Sequence, residues 1–441
     1  MSDDWDARGD AVERARAQRR ADRAKRRADR SPPPAEQPVP QATRAERPVA
    51  PAGRGDPPAP RAPRDGLLAS SSGRVLAAAA GVLALLTVVG LVALWPGHLP
   101  GGRQEAFGGP TVGARVTATS TVRCPGPTAQ RCRRLTAQIS GGRDAGRRVA
   151  LDLGPVAATP SLQKGDRIRV QPSGAGYGYA DVDRHVPMIW LAAALAVLAV
   201  LVARLRGLLA LLGVAISVVI VVTFLVPAIL AGSDPVLTSL VAALAVMFVT
   251  LLLTYGPGAQ SLAAALGIGL SLLLAALVGH AAVAAAHLDG RTGELPISML
   301  GVSLQGIVLA GMVIGVLGVL TDMAVSQASA VTALREANPD LDPRGLYRGA
   351  FAVGRDHLAA TIHTLVLAYV GAALPLILVL RDSHVGFGDA VNGQIVAEPI
   401  IATLVGAIAL VAAVPLTTAL AALLVARVPA SALDAHHGHA H

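Results

Sequence analysis

Long apolar runs separated by short polar ones set the layout of this chain. The first, GRVLAAAAGVLALLTVVGLVAL (Gly73–Leu94), holds about 20 uncharged residues, enough to cross a hydrocarbon layer of roughly 30 Å. Trp95 and Pro96 follow it as an interfacial aromatic and a helix stop. Seven more apolar segments lie near 187–203, 207–230, 235–254, 258–286, 299–320, 359–380 and 396–425. Between the first and second segments, residues 98–186 change character. Short alternating runs (ARVTATSTV, RLTAQIS, RRVALDL, DRIRVQP) are punctuated by Gly or Pro, the pattern of short strands. The pattern predicts a mainly α membrane protein of about eight transmembrane helices. A small extracytoplasmic β domain, a barrel or a sandwich, is expected between helices 1 and 2.

Composition agrees. Hydrophobic residues make up 53% and aromatic residues 3%, so the apolar content is Ala, Leu and Val, as in packed membrane helices. The net charge of +9 comes from Arg; Lys occurs only at Lys25 and Lys164. Residues 1–66 hold 15 basic and 11 acidic residues, and 31–66 are rich in Pro, Ala and Arg. This reads as a disordered basic tail that fixes orientation, with attraction to anionic lipid as the sharper alternative, and no nucleic-acid partner is implied. No signal-peptide layout precedes Gly73.

Loop charges predict the topology. Arg204, Arg206, Arg335, Arg344, Arg348, Arg355 and Arg427 fall in loops on the side of the N-terminus, and Arg291 and Arg381 on the other. By the positive-inside rule both termini are cytoplasmic and the β domain is outside, in a multi-pass bacterial plasma-membrane protein. The domain carries Cys124 and Cys132, the two cysteines of the chain. Outside the cytoplasm a disulfide closing CPGPTAQRC is expected. Two Cys with no nearby His make a poor metal site.

The most polar stretch of the C-terminal half is 321–358, a bridge between two apolar helices. Asn338-Pro339 and Asp342-Pro343 are turn signals, so the bridge is predicted to be a cytoplasmic helical hairpin. Carboxylates near hydrocarbon are costly and mark pathways. Asp322, Ser326, Asp356, His357 and His363 are therefore the candidate lining of a solute or ion pathway, with Gln305 near the other end of the same helix. Each has a plainer alternative: Asp322 at a wet boundary, His363 bonded to a backbone carbonyl on a neighbouring helix, Gln305 joining two helices. Gly311 and Gly315 stand at GxxxG spacing, which serves close helix packing, and Pro415 should kink the last helix. Glu398 opens that helix, where its dipole favours an acid. The tail HHGHAH (His436–His441) is a flexible segment with weak metal affinity. No Walker loop, dinucleotide fingerprint, HExxH or hydrolase spacing is present. No cofactor, resident metal or catalytic role is expected.

The stretches GVLGVLTDMAVSQASAVTALREANP, LYRGAFAVGRDHLAATIHTLVLAYVGAALPL and VPLTTALAALL, with KGDRIRV at the end of the β region, resemble the YibE/F-like family of bacterial multi-pass membrane proteins. The resemblance covers roughly residues 110–426. It implies an extracytoplasmic β region followed by several helices, and a biochemical role that the family itself leaves poorly defined. Where the pattern of that family often has another polar residue, this chain has His363. The domains expected are a tail (1–66), helix 1 (73–95), the β domain (98–186), a seven-helix membrane domain (187–426) with its hairpin (321–358), and a His-containing tail (427–441). The function expected is a permease or efflux component for a small solute or ion. The alternative is a non-transporting scaffold or sensor whose β domain binds a cell-envelope protein. Lipid is the sure partner; a homo-oligomer is a further expectation.

Overall fold

Turn chemistry marks most of the helix boundaries in the computed structural model, which describes residues 71–97, 111–124, 130–174, 176–290, 302–382 and 386–427. The N-terminal tail, the His-containing tail, the loop inside the cysteine pair and Arg291 lie outside these residues. The helices are α1 (Ser71–Ala93), α2 (His185–Leu230), α3 (Pro235–Tyr255), α4 (Ala259–Ala285), α5 (Leu304–Ala337), α6 (Pro343–Asp382), the short α7 (Phe387–Asn392) and α8 (Gln394–Val425). Asp234 caps α3 by accepting from Leu237 N at 2.8 Å, and Ser303 caps α5 by accepting from Gly306 N at 3.1 Å. Asp342 accepts from Gly345 N at 2.8 Å beside Pro343, the first residue of α6.

Among the described residues seven helices are long and apolar enough to cross a bilayer: α1 to α6 and α8. The chain reads as a multi-pass membrane protein. The count differs from the eight segments seen in sequence because 187–203 and 207–230 are one element here. That element is folded, not straight. Arg204 has φ 51 and ψ −128, outside helical geometry. A Cβ placed on Gly207 would run into the carbonyl of Ala199, eight residues back, which a straight helix would hold about 12 Å away. The two arms of α2 therefore turn back on each other, and each matches one of the two expected segments. The second arm is interrupted by a π-helical turn, Val221–Leu225, and ends as α-helix over Val226–Leu230.

The core joins α3, α4, α5 and α8 through small residues. Ala243, Ala263, Ala264, Ala275, Ala409 and Ala413 belong to one buried cluster with Leu272, Leu320 and Met247. Without a hydrophobic drive between helices in lipid, such close approach is how they hold together. α1, the first arm of α2 and the outer face of α6 are exposed apolar surface, which suits lipid contact.

The β region is one five-stranded antiparallel sheet of β1 (Val112–Arg123), β2 (Arg131–Ile139), β3 (Arg148–Pro155), β4 (Arg167–Ser173) and β5 (Gly176–Val182), in the order β3-β2-β1-β4-β5. β3 also lies against β5. One sheet whose edges approach is a partly open barrel, so the sandwich alternative falls away. The strand order is that of a five-stranded Greek-key barrel of the OB type. A bulge between Val116 and Ala118 helps β1 bend around both neighbours. Leu135, Ala137, Leu151, Ile168 and Val170 fill the interior.

Cys124 and Cys132 form a disulfide across the β1–β2 turn. Closing a loop of this length lowers the entropy of the unfolded chain by an amount worth about 2–3 kcal/mol. Cys132→Ser should accordingly speed hydrogen exchange of the β1–β2 amides, measured peptide by peptide on the full chain, and reductant should do the same to the wild type. Unchanged exchange in both would show that the bond does not support the barrel.

Candidate functional site

α5 is the central helix, packing against α3, α4, α6 and α8. Its sequence makes one face unusually thin. Gly311, Gly315, Gly318 and Asp322 recur at i, i+4, i+7 and i+11, so they share one stripe, and all four are exposed. A Cβ on Gly311 or Gly318 would meet nothing within 4 Å, and one on Gly315 would meet only the Tyr369 hydroxyl of α6, at 3.3 Å. This corrects the expectation that Gly311 is a helix-packing position; Gly315 does approach α6, at Tyr369. The stripe is a shallow groove on α5, interrupted at that contact. Glycines that do bring helices together include Gly90, Gly267, Gly269, Gly279 and Gly354, whose Cβ positions fall against side chains of neighbouring elements.

At the Leu304 end the groove opens into a cavity of about 560 Å³ between α5, α6 and α8. Its wall is apolar except for Glu398 and Tyr369. A second cavity of about 480 Å³ shares Tyr369, Ala373 and Pro399 with the first. It lies between α6, α7 and α8, with Arg381 among its lining residues. α8 begins at Gln394, so Glu398 lies past its first turn and not at the helix-opening position expected from the sequence; it lines the cavity instead. Its sequence position near the helix start could not show which side chains it would meet.

At the Ala337 end the stripe reaches Asp322, whose Oδ2 lies 3.6 Å from His357 Nε2 of α6. The pair is a salt bridge when the imidazole is protonated. Of the residues expected to line a pathway, these two are brought together. Ser326 is half-buried one turn further along α5. Asp356 is exposed on α6 beside His357. His363 is also exposed, and its Nδ1 lies 2.8 Å from the Ala359 carbonyl of its own helix, so it does not join α6 to a neighbour. Gln305 is exposed at the start of α5, far from Asp322.

Behind the groove runs a buried polar seam that sequence reading passed over. Gln327 of α5, 1% exposed, accepts from the Thr418 hydroxyl of α8 at 2.9 Å. A Cβ on Gly354 of α6 would fall 2.5 Å from Gln327 Oε1. Thr418 also donates to Val414 O at 2.6 Å, and Gln260 of α4 donates to Ser329 of α5 at 2.5 Å. α8 continues as helix through Pro399 and Pro415. The signal for the seam was a Gln in a turn otherwise made of Ala, Val and Ser, next to the TT pair after Pro415. Beyond the seam, Arg335 donates to the carbonyls of Pro339, of Leu341 at 3.1 Å and of Ala426 at 3.2 Å. It ties the α5–α6 turn to the end of α8.

Among the described residues no group of three His, Cys, Asp or Glu is placed to hold a metal ion. No curated protein and no solved structure matches the chain. The profile of the YibE/F-like protein family matches residues 191–427, from the first arm of α2 to the end of α8 and without the barrel. The match spans more than half of the sequence, and the chain belongs to the YibE/F-like family.

Proposed function

We propose that this protein is a permease or efflux component for a small solute or ion in a bacterial plasma membrane, with its path along the α5–α6 groove. The observation that carries the reading is the exposed glycine stripe. It joins the Glu398 cavity at one end to the Asp322–His357 pair at the other. Backbone without side chains offers carbonyls and space to a solute, and the two acids attract cations at each mouth. In this reading the loop arginines place the Asp322 end in the cytoplasm with both termini, and the barrel outside.

Single cysteines test the path without knowing the solute. In proteoliposomes, Gly318→Cys should react with a water-soluble methanethiosulfonate about tenfold or more faster than Leu367→Cys on the exposed face of α6, since a thiol held in hydrocarbon ionises less. Equal, slow reaction at both positions, with Asp322→Cys reacting freely, would rule out a hydrated groove. The closed packing of the α3–α4–α5–α8 core favours a second reading, a scaffold or sensor that binds an envelope partner through its barrel and moves no solute.

A further inference from the structure

The barrel carries eleven basic and five acidic residues between Thr111 and Asp183. Several of these arginines have structural partners. Arg134 pairs with Asp152 at 2.6 Å, holding that carboxyl below its ordinary range. Arg169 donates to Thr111, and Arg133 to Pro160 O at 2.7 Å. Others are left over, and the strand register lines three of them up. Arg148 of β3 stands opposite Gln138 of β2, Gln138 opposite Arg115 of β1, and Arg115 opposite Arg167 of β4. Directly opposed residues point to the same face, here the outer one, since Ala114, Val116, Ala137 and Ile168 between them point inward. All four row residues are exposed.

The row has a cost. Like charges directly opposite one another destabilise a sheet, and Arg115 and Arg167 are such a pair. Acids close by in the chain are engaged elsewhere: Asp181 with Arg184 at 2.7 Å, Asp183 with His185 at 2.6 Å, and Asp166 accepts from Gln163 N at 2.7 Å. With strands about 4.8 Å apart, the stems of Arg167, Arg115 and Arg148 stand near 0, 5 and 14 Å along the curved outer wall. The next outward rung along the strands is neutral (Ala118, Thr136, Ala150) and the one after it is the closed Arg134–Asp152 pair. The positive strip is therefore bounded on this flank and four strands long; on the other flank Arg169 of β4, opposite Gly113, adds one more charge beside Arg167.

We infer that this row binds a linear polyanion laid across β3, β2, β1 and β4, with its phosphate or carboxylate groups forked by Arg148, Arg115 and Arg167 and one polar monomer resting on Gln138. Arginine suits this task because its planar donors match both oxyanion types. A strip this narrow fits a single chain better than a flat lipid surface. The outward row holds no aromatic side chain, whereas single-stranded nucleic acid is gripped by stacking, so a phosphate- or uronate-bearing polymer is favoured. The inference is independent of transport and deepens the envelope-binding reading of the barrel.

The test uses the full chain in nanodiscs of neutral lipid, with fluorescent inorganic polyphosphate and polygalacturonate as probes that separate the two anion types. The wild type should bind one of them. Arg115→Gln/Arg148→Gln/Arg167→Gln should weaken that binding by about tenfold to a hundredfold. The log–log salt dependence should become shallower by about 2, for three lost counterion-releasing contacts on a single chain. The barrel of this variant should melt no lower than the wild type, because the opposed charges are gone. Arg123→Gln/Arg131→Gln/Lys164→Gln removes as many charges off the row and should bind nearly as the wild type. Equal loss in that control would make the effect diffuse charge and overturn the row. So would no binding to either polymer, tighter binding to oligo-dT, or capture of anionic phosphatidylglycerol vesicles that the row variant loses in place of polymer binding.

Discussion

Gly267→Ala should lower the melting temperature of the detergent-solubilised protein by several degrees. A Cβ at Gly267 would run into the Thr417 hydroxyl and fall 2.9 Å from its Cβ and 3.1 Å from its Cα. A hydroxyl can rotate away, but a Cα cannot, so α4 and α8 must separate along their most extensive contact. Overpacking of this kind costs about 1–3 kcal/mol, against a gain of about 1 kcal/mol from the better helix propensity of Ala. The strain should win because the obstacle is backbone. Gly311→Ala provides the contrast. With nothing within 4 Å of its Cβ, only the propensity gain remains, and the melting temperature should hold or rise. Adding Thr417→Ala to Gly267→Ala should restore part of the loss, since it removes the hydroxyl and leaves the Cβ and Cα in place. If both glycines respond alike, the close approach of α4 and α8 is wrong.

The two ends of the Gln327–Thr418 bond should respond unequally. Thr418 has a second acceptor, Val414 O at 2.6 Å, so Gln327→Leu leaves the hydroxyl satisfied. Thr418→Val instead leaves the Gln327 carbonyl buried without its donor, and an orphaned buried acceptor costs about 1–3 kcal/mol. Thr418→Val should therefore destabilise more than Gln327→Leu. The double variant should resemble Gln327→Leu alone, so the coupling energy should equal the Thr418→Val loss; bonds between membrane helices average about 0.6 kcal/mol and reach about 1.7, which puts this one at the upper end. Additive losses in denaturant unfolding would show that the two side chains do not depend on each other.

What the sequence made legible divides along physical lines. Apolar length announces a membrane helix from local residues alone, and the helices were readable for that reason. Alternation with Gly and Pro punctuation announced strands, but whether a sheet closes depends on β3 meeting β5, residues far apart in the chain. Glycines show the limit most clearly. Gly311 carries the GxxxG spacing that suggests packing, yet it faces open space, while Gly267 and Gly354 carry close approaches with only the weaker small-xxx-small spacing of Ala263, Gly267 and Ser271 and of Ala350 and Gly354. A glycine's role is decided by what stands opposite it, which only the fold supplies. The same holds for Gln327, whose importance comes from Thr418, ninety-one positions away. Asp322 and His357 were both visible as costly residues; their pairing was not.

The fold in α2 at Arg204 has a consequence for how the chain enters the membrane. A straight helix as long as His185–Leu230 would reach about 69 Å, more than twice the hydrocarbon thickness. It would leave Arg204 and Arg206 near its midpoint. Insertion scales charge about 2.5–3.5 kcal/mol for an arginine at the centre of a span. Folding at Arg204 moves both side chains to the tip where the two arms meet, away from the middle of a long apolar helix. On the eight-segment reading, in which each arm is a span, neither arginine would have to cross the bilayer.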